Sequence, residues 1–153
     1  MMNIDDRLKE LGIELPVPPP AVGTYAGAIE HGGFLYVSGH GPYRDGEYLY
    51  RGKVDSEVTV ESAQEAAELT IINALGTAKN VLGSLDRVVR IVKLFGMVNS
   101  DPDFAAQPKV IDGASDFLVK VFGDKGRHAR SAVGLGALPM RICVEIEMIL
   151  AIQ

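Results

Sequence analysis

The chain has 153 residues, 47% of them hydrophobic and 23% charged, which describes one ordinary domain with enough apolar material for a core. Fifteen basic against twenty acidic residues leave a formal net charge of −5, which argues against broad binding to nucleic acid or to an anionic membrane. The single cysteine, Cys143, excludes an intrachain disulfide framework, and MMNIDDRLKELGIELP carries no apolar signal core, so a cytoplasmic protein is expected.

Asn3 or Asp5 can cap a short helix that runs to Leu11 and stops at Gly12. PVPPP, residues 16–20, follows as a stiff extended connector, because each proline ring fixes φ and removes a donor. Residues 24–38, TYAGAIEHGGFLYVS, read as a β-hairpin turning at His31-Gly32-Gly33. A third extended piece is expected near Tyr48 to Lys53, after the turn signals Gly41-Pro42 and Asp45-Gly46.

From Thr59 to Leu82 the period becomes helical: Ala63, Ala67, Ile71, Ala74, Ala78 and Leu82 form one stripe, capped by Thr59 or Ser62 and ended by Gly83. RVVRIVKLFGMV, residues 87–98, is β-branched and reads as a central strand. Asp101-Pro102-Asp103 is a turn or cap before a helix from about Pro108 to Phe122, stopped by Gly123 and Gly126. Residues 129–137 and 141–151 are two strands joined through a tight turn at Leu138-Pro139. The order predicts an α+β fold, two helices packed on one face of a mixed sheet.

Alternation along the last strand puts Ile142, Val144, Ile146, Met148 and Leu150 on one face, and Cys143, Glu145, Glu147 and Ile149 on the other. Two glutamates in the middle of an apolar strand fit a solvated sheet face, an oligomer interface or a ligand site. Arg130 bears on all three, because its guanidinium forks onto a carboxylate, whether that of Glu145 or that of a small ligand.

At this point two blocks carry a resemblance. HARSAVGLGALPMRICVEIEMI, residues 128–149, and VGTYAGAIEHGGFLYVSGHGP, residues 22–42, resemble the closing and opening signatures of the reactive-intermediate deaminase (YjgF/UK114-like) family. The resemblance covers about Pro20 to Ile152 and divides the chain into an N-terminal helix with a proline-rich extension, residues 1–20, and a family domain, residues 21–153. It implies a chorismate-mutase-like α+β subunit assembled as a homotrimer with three intersubunit clefts. It also implies hydrolysis of enamine or imine acids to 2-oxo acids and ammonia without metal or organic cofactor.

By the same resemblance, Arg130 grips the substrate carboxylate and Glu145 holds or activates water. Tyr25, Ser38, Gly39 and Asp112 fall at substrate-binding positions. The chain departs from the best-known members at Ala132, His40, Gly41 and Asp112, where they have a cysteine, a glutamine, an aliphatic residue and an asparagine. These departures mark a divergent branch.

His40 and Cys143 are further candidates, and so is His128, which shares a strand face with Arg130. A turn histidine is nevertheless more often structural, and a small thiol is more often buried and inert. His31, His40 and His128 have no paired metal spacing, and the glycines lack a phosphate-loop lysine. The family's older ribonuclease label would need a basic groove that this sequence lacks. The alternative function is a non-catalytic trimer that binds a small carboxylate metabolite or a partner protein. Pericyclic chemistry of the chorismate-mutase kind shares only the architecture.

Overall fold

The computed structural model describes residues 2–153. A short helix, α1 (Ile4–Glu10), starts where Asn3 accepts a hydrogen bond from the Asp6 amide, as its capping side chain predicts. The chain then runs without regular structure through the prolines to β1 (Ala28–His31), and β2 (Phe34–His40) returns antiparallel to it. The turn between them needs Gly32 and Gly33, both at positive φ (61° and 81°). The hairpin is shorter than its sequence suggested: Thr24 and Tyr25 lie in a bend before β1.

The expected third extended piece divides in two. A two-stranded ribbon forms from β3 (Tyr43–Arg44) and β4 (Glu47–Tyr48) around Asp45-Gly46, while Arg51 makes an isolated bridge to Ile142.

Helix α2 (Val60–Leu82) is capped by Thr59, which accepts from the Ser62 amide, and ends at Gly83 with φ 79°. The expected stripe from Ala63 to Leu82 is buried throughout. Helix α3 (Gln107–Phe122) lies against it, and Gly113 makes the close crossing possible: a Cβ there would sit 2.2 Å from the Gln64 carbonyl oxygen. Asp101 does not cap α3; its carboxylate accepts from the Ser56 amide instead.

Both helices cover one face of a five-stranded sheet ordered β1-β2-β7-β5-β6, where β5 is Val88–Asn99, β6 is Ala129–Leu135 and β7 is Val144–Ile152. The β7 pattern is the one alternation requires: Val144, Ile146, Met148 and Leu150 are buried, Glu145 is half-buried and Glu147 is exposed.

Two features set the site. First, β6 and β7 are not neighbours. β5 runs between them, parallel to β6 and antiparallel to β7, so the Leu138-Pro139 connection crosses over β5 and is not a hairpin turn. Second, β2 carries a bulge opposite β7: Val37 pairs with Met148 and His40 with Ile146, so Ser38 and Gly39 together face Glu147. Among the described residues no helix is long and apolar enough to cross a membrane.

Candidate functional site

Glu145 lies on the sheet face away from the helices, level with Met97 of β5. The bulge brings Gly39 against it so closely that a Cβ at Gly39 would meet the Glu145 carboxyl carbon at 3.0 Å. Ser38 is held at the bulge by its hydroxyl, which donates to the Ala26 carbonyl at 2.6 Å, and by its amide, which donates to Gly27. Tyr25 stands exposed beside this corner. Tyr25, Ser38, Gly39 and Glu145 all line one cavity of about 1130 Å³, and the proline-rich segment from Pro16 to Val22 lines it as well.

Burial first, then the neighbouring charge of Glu147, push the Glu145 carboxyl above its ordinary range. Among the described residues nothing donates a hydrogen bond to it. A half-buried carboxylate with a raised pKa and no partner among the described residues is suited to accept a proton from water. Tyr48 was not singled out from the sequence, since an aromatic in a two-residue strand gives no signal. It lines the same cavity, and burial and the proximity of Tyr25, Tyr43 and Glu145 push its phenol up.

Arg130 is elsewhere. It is level with Leu94 of β5, which pairs with Met148 of β7. That register puts Arg130 two strands and three residues away from Glu145, about 14 Å between Cα atoms, and on the helix side of the sheet. Glu145 is therefore not its partner within the chain. Arg130 Nη1 donates to Asp112 Oδ1 at 2.7 Å and to Ser115 Oγ at 3.1 Å, both on α3. Its Nε and Nη2 make no hydrogen bond among the described residues. Ser115 was missed from the sequence, although its spacing of three from Asp112 places both on one helix face.

His128 also belongs to this group. Its Nδ1 donates to the Gly126 carbonyl at 2.6 Å, which leaves Nε2 to accept from the Ser115 hydroxyl at 3.0 Å. Burial, and less strongly the Arg130 charge, lower its pKa and keep it neutral. It acts as a brace behind Ser115.

Two candidates are engaged otherwise than the sequence suggested. His40 would share the Glu145 face in an unbroken strand, but the bulge rotates it onto the helix side, level with Ile146. There Nδ1 bonds the Ser38 carbonyl at 2.6 Å and Nε2 bonds Thr77 Oγ1 at 2.8 Å. Burial lowers its pKa, so His40 is a neutral strut between β2 and α2 with both ring nitrogens engaged, although it still lines the cavity that holds Glu145. Cys143 precedes β7 and sits in the apolar core with no exposure, its thiol pushed up to about 12 by burial. It does not share the Glu145 cavity and is no nucleophile.

The open sheet face carries a second, shallower cavity of about 520 Å³ lined by Tyr36, Lys93, Phe95, Ser131, Glu147 and Ile149. Phe34, Tyr36 and Val133 remain substantially exposed on the strands around it.

With this geometry in place, known proteins give a consistent picture. The sequence model of the family described as "YjgF/chorismate mutase-like, putative endoribonuclease" matches residues 5–149. Protein TCP17 of Trypanosoma cruzi is 38% identical over 148 residues, covering 96% of this chain and 92% of that protein. A crystal structure from Agrobacterium tumefaciens, of a protein with unknown function, is 44% identical with TM-score 0.91, covering 98% of this chain and 92% of that one. The RidA structure from an Antarctic Psychrobacter is 26% identical with TM-score 0.59, over 89% of this chain and 94% of that one.

Proposed function

The chain belongs to the YjgF/chorismate mutase-like family, and on that premise we propose that it hydrolyses enamine or imine acids to 2-oxo acids and ammonia, without a metal or organic cofactor. The observation that carries this reading is the Glu145 carboxyl: raised in pKa, without a hydrogen-bond partner among the described residues, and set in the wall of a large cavity beside Tyr25, Ser38 and Gly39.

The chemistry asks little of the protein. An iminium carbon is already electrophilic, so the enzyme orients it and delivers water. Glu145 takes one proton from the water as its oxygen bonds the iminium carbon and the C=N electron pair moves to nitrogen. The protonated Glu145 then returns that proton to the amino group of the carbinolamine. The C–N bond breaks, its pair leaving with ammonia, while the hydroxyl proton is released as the carbonyl forms. In sum, iminium acid and water become 2-oxo acid and ammonium. Arg130 holds the substrate carboxylate through Nε and Nη2, the fork that Asp112 and Ser115 leave open.

Arg130 and Glu145 lie too far apart, and on opposite faces, to act on one small molecule within one subunit. In the proposed homotrimer, Arg130 of one subunit meets the Glu145 cavity of the next, and the exposed Phe34, Tyr36 and Val133 on the open face become the contact between copies. The ring gives a specific test. Arg130→Ala and Glu145→Gln subunits are each inactive on 2-iminopropanoate generated by an amino-acid oxidase. Refolded together at equal amounts, they recover about one quarter of wild-type sites, because one junction in four joins an intact Arg130 to an intact Glu145. No recovery, or a 16.4 kDa monomer by light scattering, removes the shared site; wild-type turnover by Arg130→Ala removes the role of the arginine.

A second reading is a non-catalytic binder of a small carboxylate metabolite. The departure at Asp112 favours it: an acid paired with Arg130 at 2.7 Å stands where the best-known members of the family have an asparagine, so the family's reaction need not carry over. Calorimetric binding of 2-oxo acids with no turnover of any imino acid selects it.

A further inference from the structure

Resting on the reading of Arg130 as the carboxylate anchor, we propose that Asp112 recognises the nitrogen of the substrate. The site then takes its ligand as a zwitterion, a 2-iminio or 2-ammonio carboxylate, and discriminates against the 2-oxo acid.

The argument starts from how Arg130 is held. Both of its bonds are made through Nη1, to Asp112 at 2.7 Å and to Ser115 at 3.1 Å. Ser115 can only accept from Arg130, because its own proton goes to His128 Nε2, and His128 is fixed in turn by the Gly126 carbonyl. The guanidinium is thus oriented by a relay that ends on backbone. Its Nε/Nη2 edge, the one that matches a carboxylate in geometry, stays unpaired among the described residues.

Asp112 uses one oxygen on Arg130. Its other oxygen, Oδ2, has no partner among the described residues, and 47% of its side chain is exposed, against 24% for Arg130. The pair therefore presents two donors and one acceptor with no net charge. A carboxylate alone satisfies only the donors and brings its charge close to Asp112. A ligand with N–H on the carbon next to the carboxylate satisfies both halves.

Three consequences follow for the proposed reaction. An acid beside the nitrogen favours the iminium over the neutral enamine, and the iminium is the form that water attacks. The departing ammonium is stabilised by the same oxygen. In the product, a carbonyl oxygen replaces the N–H donor and faces the Asp112 acceptor, so the 2-oxo acid is expelled. Asparagine at this position would lack the charge and offer a donor, and would hold the product.

Alanine and pyruvate are a suitable pair of probes, since they share the carboxylate and methyl groups and carry an ammonium or a carbonyl oxygen on the carbon between them. By calorimetry on the intact assembly, wild type binds alanine more tightly than pyruvate. Asp112→Asn preserves the side-chain shape, and it lowers the alanine-to-pyruvate affinity ratio at least tenfold; product inhibition by pyruvate strengthens alongside. Asp112→Ser gives the same loss of preference and serves as the second variant. An unchanged ratio in both variants, or a wild type that prefers pyruvate, overturns the role of Asp112. Arg130→Ala separates the two readings: loss of both ligands supports the anchor, and retention of both at wild-type affinity defeats the anchor itself.

Discussion

Gly39→Ala isolates the position of the Glu145 carboxyl from its identity. A methyl at Gly39 would lie 3.0 Å from Glu145 Cδ, 3.2 Å from Cγ and 3.3 Å from Oε1. Ordinary carbon contacts are about 3.5–4.0 Å, so the carboxyl must retreat by a few tenths of an ångström. Gly39 is not at positive φ, so alanine fits its backbone. The carboxyl has no hydrogen bond to lose among the described residues, and its retreat costs about 0.5–1.5 kcal/mol as an off-rotamer side chain. For a chain of this size that is a fall of about 1–6 °C in Tm. Catalysis suffers more: a displacement near 1 Å of a positioned group can cost about 100-fold in rate, and a few tenths of an ångström cost a corresponding part of that. The expected result is a kcat on 2-iminopropanoate lower by about 3- to 10-fold, read as 2-oxo acid formation at equal folded concentration, with KM nearly unchanged. Turnover within twofold of wild type would show that Glu145 need not sit where the bulge holds it, and the general-base role would fall.

Two other outcomes test the fold and the electrostatics. Gly113→Ala puts a methyl 2.2 Å from the Gln64 carbonyl, where backbone and not a flexible side chain must yield; it should cost about 1–3 kcal/mol or more in denaturant unfolding, and a neutral effect would contradict the tight crossing of α2 and α3. Glu145→Gln should stabilise the protein at alkaline pH and leave it unchanged in acid. Because burial raises the Glu145 pKa above its ordinary 4.5, the folded state binds more protons there, and wild-type stability falls as pH rises through the folded value. Glutamine does not titrate, so the Tm difference should be near zero below pH ~4 and positive at pH ~8, at about 2–4 °C for each kcal/mol recovered. A difference independent of pH would contradict the shift.

Periodicity and capping determined most of the secondary structure. The stripe from Ala63 to Leu82, the Thr59 cap, the Gly83 stop and the two faces of β7 follow from local rules, because helix and strand geometry repeat within a few residues. The family resemblance pointed to Arg130, Glu145 and Asp112 as site residues. Which of them meet was decided by tertiary structure. Strand order is a long-range property, and inserting β5 between β6 and β7 took Arg130 away from Glu145 and gave it to Asp112. The bulge at Ser38-Gly39 exchanged the two faces of β2, so His40 turned inward to Thr77 while Gly39 closed on Glu145. Alternation is legible in a sequence only while the register holds. One extra residue in a ladder reverses every side chain beyond it, and here it turns His40 toward α2 while Glu145 stays on the open face.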